Sequence, residues 1–184
     1  LLLTMATWSL ASPLGSTHDE AFHLGSIWCA NGVDGKDCTA FNKPVEGGYY
    51  TGVAAIEDGS CFLDNPAEVT RCKTALATSY PANFKLYPST YYKVMNLFVS
   101  EHPTLSVLAM RLFNGSLGVL LLSGVLLLSN GRQRMAWLTG YTFTLLPMTM
   151  YLTASIHPSG WAVTGTSTSW IFLHIAITTN RSNR

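Results

Sequence analysis

The chain has 184 residues, 48% of them hydrophobic and only 11% charged, with a formal net charge of +1. Soluble globular chains are nearer a quarter charged, and so small a net charge excludes the bulk field that nucleic-acid binding requires. A mean hydropathy of +0.23 reads as membrane spans mixed with polar loops. The distribution of charge says more than its sum. All ten acidic residues lie between Asp19 and Glu101, with six Lys or Arg among them, whereas Arg111, Arg132, Arg134, Arg181 and Arg184 have no acidic neighbour.

Residues 1–11, LLLTMATWSLA, are about half the length a spanning helix needs. They read as a truncated transmembrane helix, and the chain as a fragment of a longer membrane protein. A signal-peptide core is the alternative, but it leaves the later apolar runs unexplained.

Residues 12–104 form a long polar loop, too long for a mere connector. It opens with GSTHDEAFHLGSIWCANG, residues 15–32, where two carboxylates and two histidines stand close together. Thr17-x-x-Glu20 fits a capping box, and acids favour the first turn of a helix. Asp19 and His23, four apart, share a helix face. A carboxylate placed where the chain leaves the membrane can instead act as a base or hold a divalent metal ion. His18 and His23 are five apart and do not share a face, so a zinc motif is not indicated.

The middle of the loop, GYYTGVAAIEDGSCFLDN, reads as turns with short strands. EAFHLGSIWCA puts Phe22, Ile27 and Trp28 on one helical stripe. YPSTYYKVMNLFVSEHP puts Tyr91, Met95 and Phe98 on another, with Lys93 and Asn96 opposite. Such helices either lie in the membrane interface or form a small core within the loop. Cys29, Cys38, Cys61 and Cys72 all fall in this loop and none in a span. An even count in an outer compartment predicts disulfides. The sequential pairing, Cys29–Cys38 with Cys61–Cys72, is one of three, and zinc is the alternative fate.

Residues 105–129 form the first complete transmembrane candidate. Arg111 within it either snorkels to the outer surface or holds a phosphate inside the bundle. Residues 130–134, NGRQR, make a basic turn. Residues 135–155 form a second span with Pro147 inside it. Residues 156–160, IHPSG, are a breaker cluster, with His157 as a polar turn residue. Residues 161–178 form a third span and 179–184 a basic end. The sequons at Asn114 and Asn180 lie in a span and at the inner end, and read as coincidental.

Basic turns face the cytoplasm. That places 130–134 and 179–184 inside, and 12–104 and 156–160 outside. The expected fold class is an all-α membrane protein, a multi-pass helical bundle in the cell membrane with a large extracytoplasmic loop. Asp19, Glu20, His23, Arg111 and His157 then fall at the outer face, a set of acid, imidazole and guanidinium suited to an anionic lipid-linked substrate.

Four stretches resemble one bacterial multi-pass family, domain of unknown function 2142. They are SPLGSTHDEAFHLGSIWCANG, LYPSTYYKVMNLF, LAMRLFNGSLGVLLL and MTMYLTASIHPSGWAV. The first is similar to the family's P-x-x-x-x-D-E-x-x-H signature, and the last to its Asn-Pro-Ser-Gly-x-Glu turn. Here His157 stands where the family usually has Asn, and Ala162 where it usually has Glu. The family in turn resembles the multi-spanning glycosyltransferases that use polyprenyl-phosphate sugars. That likeness implies an acidic pair, Asp19 then Glu20, serving as catalytic base or metal ligand.

The expected function is sugar transfer from a polyprenyl-phosphate donor to an extracytoplasmic glycan or wall acceptor. Asp19 and Glu20 are the catalytic candidates, and His23, Arg111 and His157 the substrate-binding ones. A transporter or flippase of lipid-linked sugars and a non-enzymatic scaffold are the rival readings.

Overall fold

The computed structural model describes residues 1–12, 16–17, 19–31, 39–40, 49–52, 80–82, 87–100, 102–144 and 147–182. Seven helices are present among the described residues: α1 (Leu2–Ala11), α2 (Glu20–Trp28), α3 (Ser89–Asn96), α4 (Pro103–Leu128), α5 (Gly131–Thr144), α6 (Pro147–Thr153) and α7 (Pro158–Ser182). Three short strands, β1 (Thr39–Ala40), β2 (Tyr49–Gly52) and β3 (Tyr80–Ala82), pair antiparallel in the order β1-β2-β3. The chain is therefore mainly helical, but its fold is not purely α. Tyr50 pairs with Pro81, and proline is tolerated there because β3 is an edge strand.

The chain divides into two compact units, Trp8–Arg111 and Leu1–Thr7 with Leu112–Arg184. In the first, α2 is buried from His23 through Cys29. A single apolar stripe does not describe it: a helix covered all round belongs to a core. In α3, Tyr91, Tyr92 and Met95 are buried while Lys93 is exposed. Asn96 does not face water as the stripe pattern implies. Its Nδ2 donates to the carbonyl of Ile27 at 2.9 Å, and its Oδ1 accepts from Asn31 Nδ2 at 2.6 Å. Asn96 thereby adds a second donor to a carbonyl in the last turn of α2, which also accepts from the N–H of Ala30 at 3.2 Å.

In the second unit, the ends of the helices explain their boundaries. Beyond Leu128, Ser129 Oγ donates to the carbonyl of Val125 at 2.6 Å, and Arg134 donates to the carbonyls of Leu126 and Ser129 at 3.0 and 3.3 Å. The two Arg134 bonds satisfy acceptors that the helix itself leaves open, while Val125 also accepts from the backbone N–H of Ser129 at 3.1 Å. Asn130 and Gln133 then form a reciprocal box, each backbone N–H donating to the other's side-chain oxygen at 3.1 and 3.0 Å, which starts α5.

Over the span expected at 135–155 the structure describes α5 up to Thr144 and α6 from Pro147, and residues 145–146 lie outside the described residues. α6 and α7 pack closely. A Cβ added to Gly160 would lie 2.6 Å from the carbonyl oxygen of Leu152, so only glycine fits.

Among the described residues one helix, Thr104–Leu128, is long and apolar enough to cross a membrane. At 26 residues, α4 is about 39 Å long, which exceeds a hydrocarbon core of about 30 Å.

Candidate functional site

α2 begins at Asp19, whose backbone takes the left-handed conformation, φ 57° and ψ 7°. Among the described residues Asp19 is the only non-glycine residue with positive φ. Asp is among the few side chains that enter this region readily. Its carbonyl accepts from the N–H of His23 at 3.0 Å, the first bond of the helix, while its own side chain makes no cap bond and is exposed.

The capping box expected at Thr17-x-x-Glu20 is not formed. Glu20 N–H donates to the backbone carbonyl of Thr17 at 3.1 Å, and the Thr17 hydroxyl is buried without a hydrogen-bond partner. The left-handed turn at Asp19 makes that residue the cap.

The two carboxylates therefore part company. Asp19 faces out, whereas Glu20 is wholly buried against Arg111. Arg111 Nε donates to Glu20 Oε1 at 2.8 Å and Nη2 to Oε2 at 2.6 Å, a two-point match of guanidinium and carboxylate. Nη1 donates to the carbonyls of Ser9 and Ser12 at 3.1 and 2.7 Å. These carbonyls lie at and just past the C-terminus of α1, where a cation is favoured by the helix dipole and by unpaired acceptors. Neither outward snorkelling nor a phosphate contact describes Arg111. Each of its three nitrogens donates to the protein, and the residue is 2% exposed.

His23 occupies an aromatic pocket. Its Nδ1 lies 3.1 Å from the Tyr92 hydroxyl, and its ring meets Tyr87 edge-on with centroids 5.0 Å apart. Burial pushes the Tyr92 hydroxyl up to about 12 from an ordinary 10.0. A hydrogen bond from Ser26 opposes the rise, and Tyr87 adds to it. Tyr92 is thus a neutral partner for His23 at physiological pH.

Cys29 is fully buried and held in a disulfide. Cys38, Cys61 and Cys72, like His18, lie outside the described residues.

His157 belongs to the other unit. Its Nδ1 accepts from the N–H of Ser159 at 3.0 Å, so it caps α7 with Pro158 in the first position. That bond fixes the proton on Nε2 whenever the ring is neutral. Asn is among the best caps, so His157 fills the role that the Asn of the related turn is suited to. Before this turn, the carbonyl of Ser155 accepts from Asn114 Nδ2 at 2.8 Å, and Asn114 Oδ1 accepts from Trp161 Nε1 at 2.8 Å. With both ends of its amide so engaged and the residue buried, Asn114 is a structural bridge and not a glycosylation acceptor. Ala162 is exposed.

The sequence singles out Asp19, Glu20, His23, Arg111 and His157, and the structure places the first four in one unit and His157 in the other. Sequence reasoning missed Tyr92, Ser9, Ser12 and the bridge through Asn114. Tyr92 carried a usable signal, since its spacing to Met95 puts both on one helix face.

Among the described residues these features define a mainly helical protein with one membrane-length helix, a buried carboxylate–guanidinium pair and an exposed acid beside it. The chain belongs to the DUF2142 family, described as predicted membrane protein, whose match runs over residues 2–184. No curated protein and no solved structure matches it.

Proposed function

We propose that this chain carries the acceptor-activating part of a multi-pass membrane glycosyltransferase. The enzyme would move a sugar from a polyprenyl phosphate to a glycan or wall acceptor outside the cell membrane. The observation that supports it is the division of labour between adjacent acids: Glu20 is fixed by Arg111, and Asp19 is exposed on a left-handed backbone at the start of a buried helix. Unusual backbone conformations concentrate at functional sites, and a carboxylate held on a rigid element is placed to accept a proton.

In this reading Asp19 takes the proton of the acceptor hydroxyl as the hydroxyl oxygen attacks the anomeric carbon. The bond from that carbon to the donor phosphate breaks, and the polyprenyl phosphate leaves with the bonding electrons. Glu20 and Arg111 are positioning residues that hold the start of α2 against the end of α1. His23, buried beside Tyr92, supports the same turn and does not reach substrate. Among the described residues no ligand set for a divalent ion stands beside Asp19. The Glu20 oxygens are taken by Arg111, and no three His, Cys, Asp or Glu side chains group together among the described residues. No step is routed through a metal.

The same proposal places residues 12–104 outside and 130–134 in the cytoplasm, with the four cysteines paired in the oxidising compartment. On the sequence alone, both the transfer and the transport readings assign the lipid phosphate to Arg111, whose donors serve Glu20, Ser9 and Ser12 instead; the transport reading needs no acid pair.

The test is transfer by the full-length protein, reconstituted with polyprenyl-phosphate sugars and a glycan acceptor. Asp19→Asn is expected to lower transfer by about 10²–10⁴-fold with the fold intact. Undiminished transfer in folded Asp19→Asn protein refutes the assignment.

A further inference from the structure

Helices α5 and α7 enclose an open groove of about 570 Å³, within the ~300–1,000 Å³ usual for ligand sites. Its walls are apolar and aromatic, with Trp137, Tyr141, Trp170 and Ile171 along its length and Arg132 among its lining residues. Trp137 and Tyr141 stack at 5.0 Å with their planes 15° apart, and Trp170 is 75% exposed. A Cβ at Gly140 would meet nothing within 4 Å. Gln133 Nε2 donates to Thr178 Oγ1 at 2.8 Å, which ties the start of α5 to the C-terminal part of α7 beside Arg132.

Charge decides the occupant. Residues 102–184 contain no Asp or Glu. Arg134 is engaged by the carbonyls that end α4. Arg132 is exposed and has no hydrogen bond or ion pair among the described residues. A guanidinium with no counter-charge among the described residues, at an apolar groove, selects an amphiphile with an anionic head. We propose that the groove binds one anionic glycerophospholipid, its phosphate on Arg132 and an acyl chain along Trp137, Tyr141 and Trp170. Guanidinium suits phosphate in geometry and charge, tryptophan and tyrosine favour the headgroup boundary, and basic pockets between membrane helices take lipid head groups. A zwitterionic lipid brings its own cation with the phosphate and leaves the site without net neutralisation, and an apolar helix from another protein brings no anion. The site rests on the membrane placement of the chain and is independent of glycosyl transfer.

Native mass spectrometry of the full-length protein in mild detergent tests it, with phosphatidylglycerol, phosphatidylcholine and inorganic phosphate as separate additions. One phosphatidylglycerol is expected to be retained about fivefold more than phosphatidylcholine, the factor one arginine near a headgroup supplies. Arg132→Gln, at an exposed position that leaves the fold alone, should erase that preference. Gly140→Leu, which projects into open space, should expel the lipid while circular dichroism stays unchanged. Equal retention of the two lipids, an undiminished preference in Arg132→Gln, or full retention in folded Gly140→Leu overturns the proposal. Displacement of the lipid by millimolar inorganic phosphate also overturns it, because a lipid seated by its chain outlasts a bare anion. Loss of transfer without loss of lipid binding bears on the glycosyltransferase reading alone.

Discussion

The Arg111 guanidinium grips the Glu20 carboxylate through two parallel bonds of 2.8 and 2.6 Å, across 91 residues of sequence, with both side chains buried. Removing one partner of such a pair strands a charge away from water and costs about 3–5 kcal/mol. Arg111→Gln and Glu20→Gln are each expected to lose that much, read as lowered thermal unfolding temperature in detergent. The double variant should lose clearly less than the sum. Additive losses would mean that the two residues act independently, and the pair would not be what holds this part of the chain.

Asp19 and Thr17 separate a cap from a catalyst. Asn enters the left-handed region as readily as Asp, so Asp19→Asn should retain full stability. Asp19→Ala should lose about 1 kcal/mol, because alanine disfavours positive φ. Thr17→Val replaces a buried hydroxyl that has no hydrogen-bond partner by a group of the same shape. It should be neutral or stabilising. A loss of ~1 kcal/mol in Thr17→Val, the usual size for a lost cap, would restore the capping box.

Tyr92 makes stability depend on alkali. Its hydroxyl is raised by burial to about 12 in the folded protein, against 10.0 unfolded. Between these values the folded state binds the extra proton, so stability present below pH 10 is lost as pH rises towards 12. Tyr92→Phe removes the phenol and should flatten that decline. An identical alkaline slope in the variant, measured by thermal melts across the window, would assign the loss to other groups.

His157 and Gly160 govern the turn into α7. His157→Asn keeps a capping acceptor and should preserve stability, whereas His157→Ala should lose about 1 kcal/mol. Gly160→Ala drives a methyl into the Leu152 carbonyl, at 2.6 Å, and should cost about 1–3 kcal/mol. Wild-type melting of Gly160→Ala would show that α6 and α7 can separate without loss.

The membrane character of the chain was legible in its sequence. An apolar run from residue 105 can satisfy its backbone only as a helix, and the 26-residue α4 follows from composition alone. The proximity of two acids to a chain segment leaving that character was legible as well. The burial of α2 on all sides was not, because periodicity reports the face that one neighbour covers. In α2 the strand β3, the helix α3 and the long-range pair through Arg111 cover the rest.

Sequence by itself determined that residues 1–11 and 105–129 would be apolar helices, that the acids cluster between Asp19 and Glu101, and that Asp19, Glu20 and Arg111 were the groups to watch. Only the tertiary structure decided which acid was bound and which was exposed. Local spacing treats Asp19 and Glu20 alike, since both sit at the start of one helix. A left-handed residue at Asp19 turns one side chain to solvent, and a guanidinium 91 residues away claims the other.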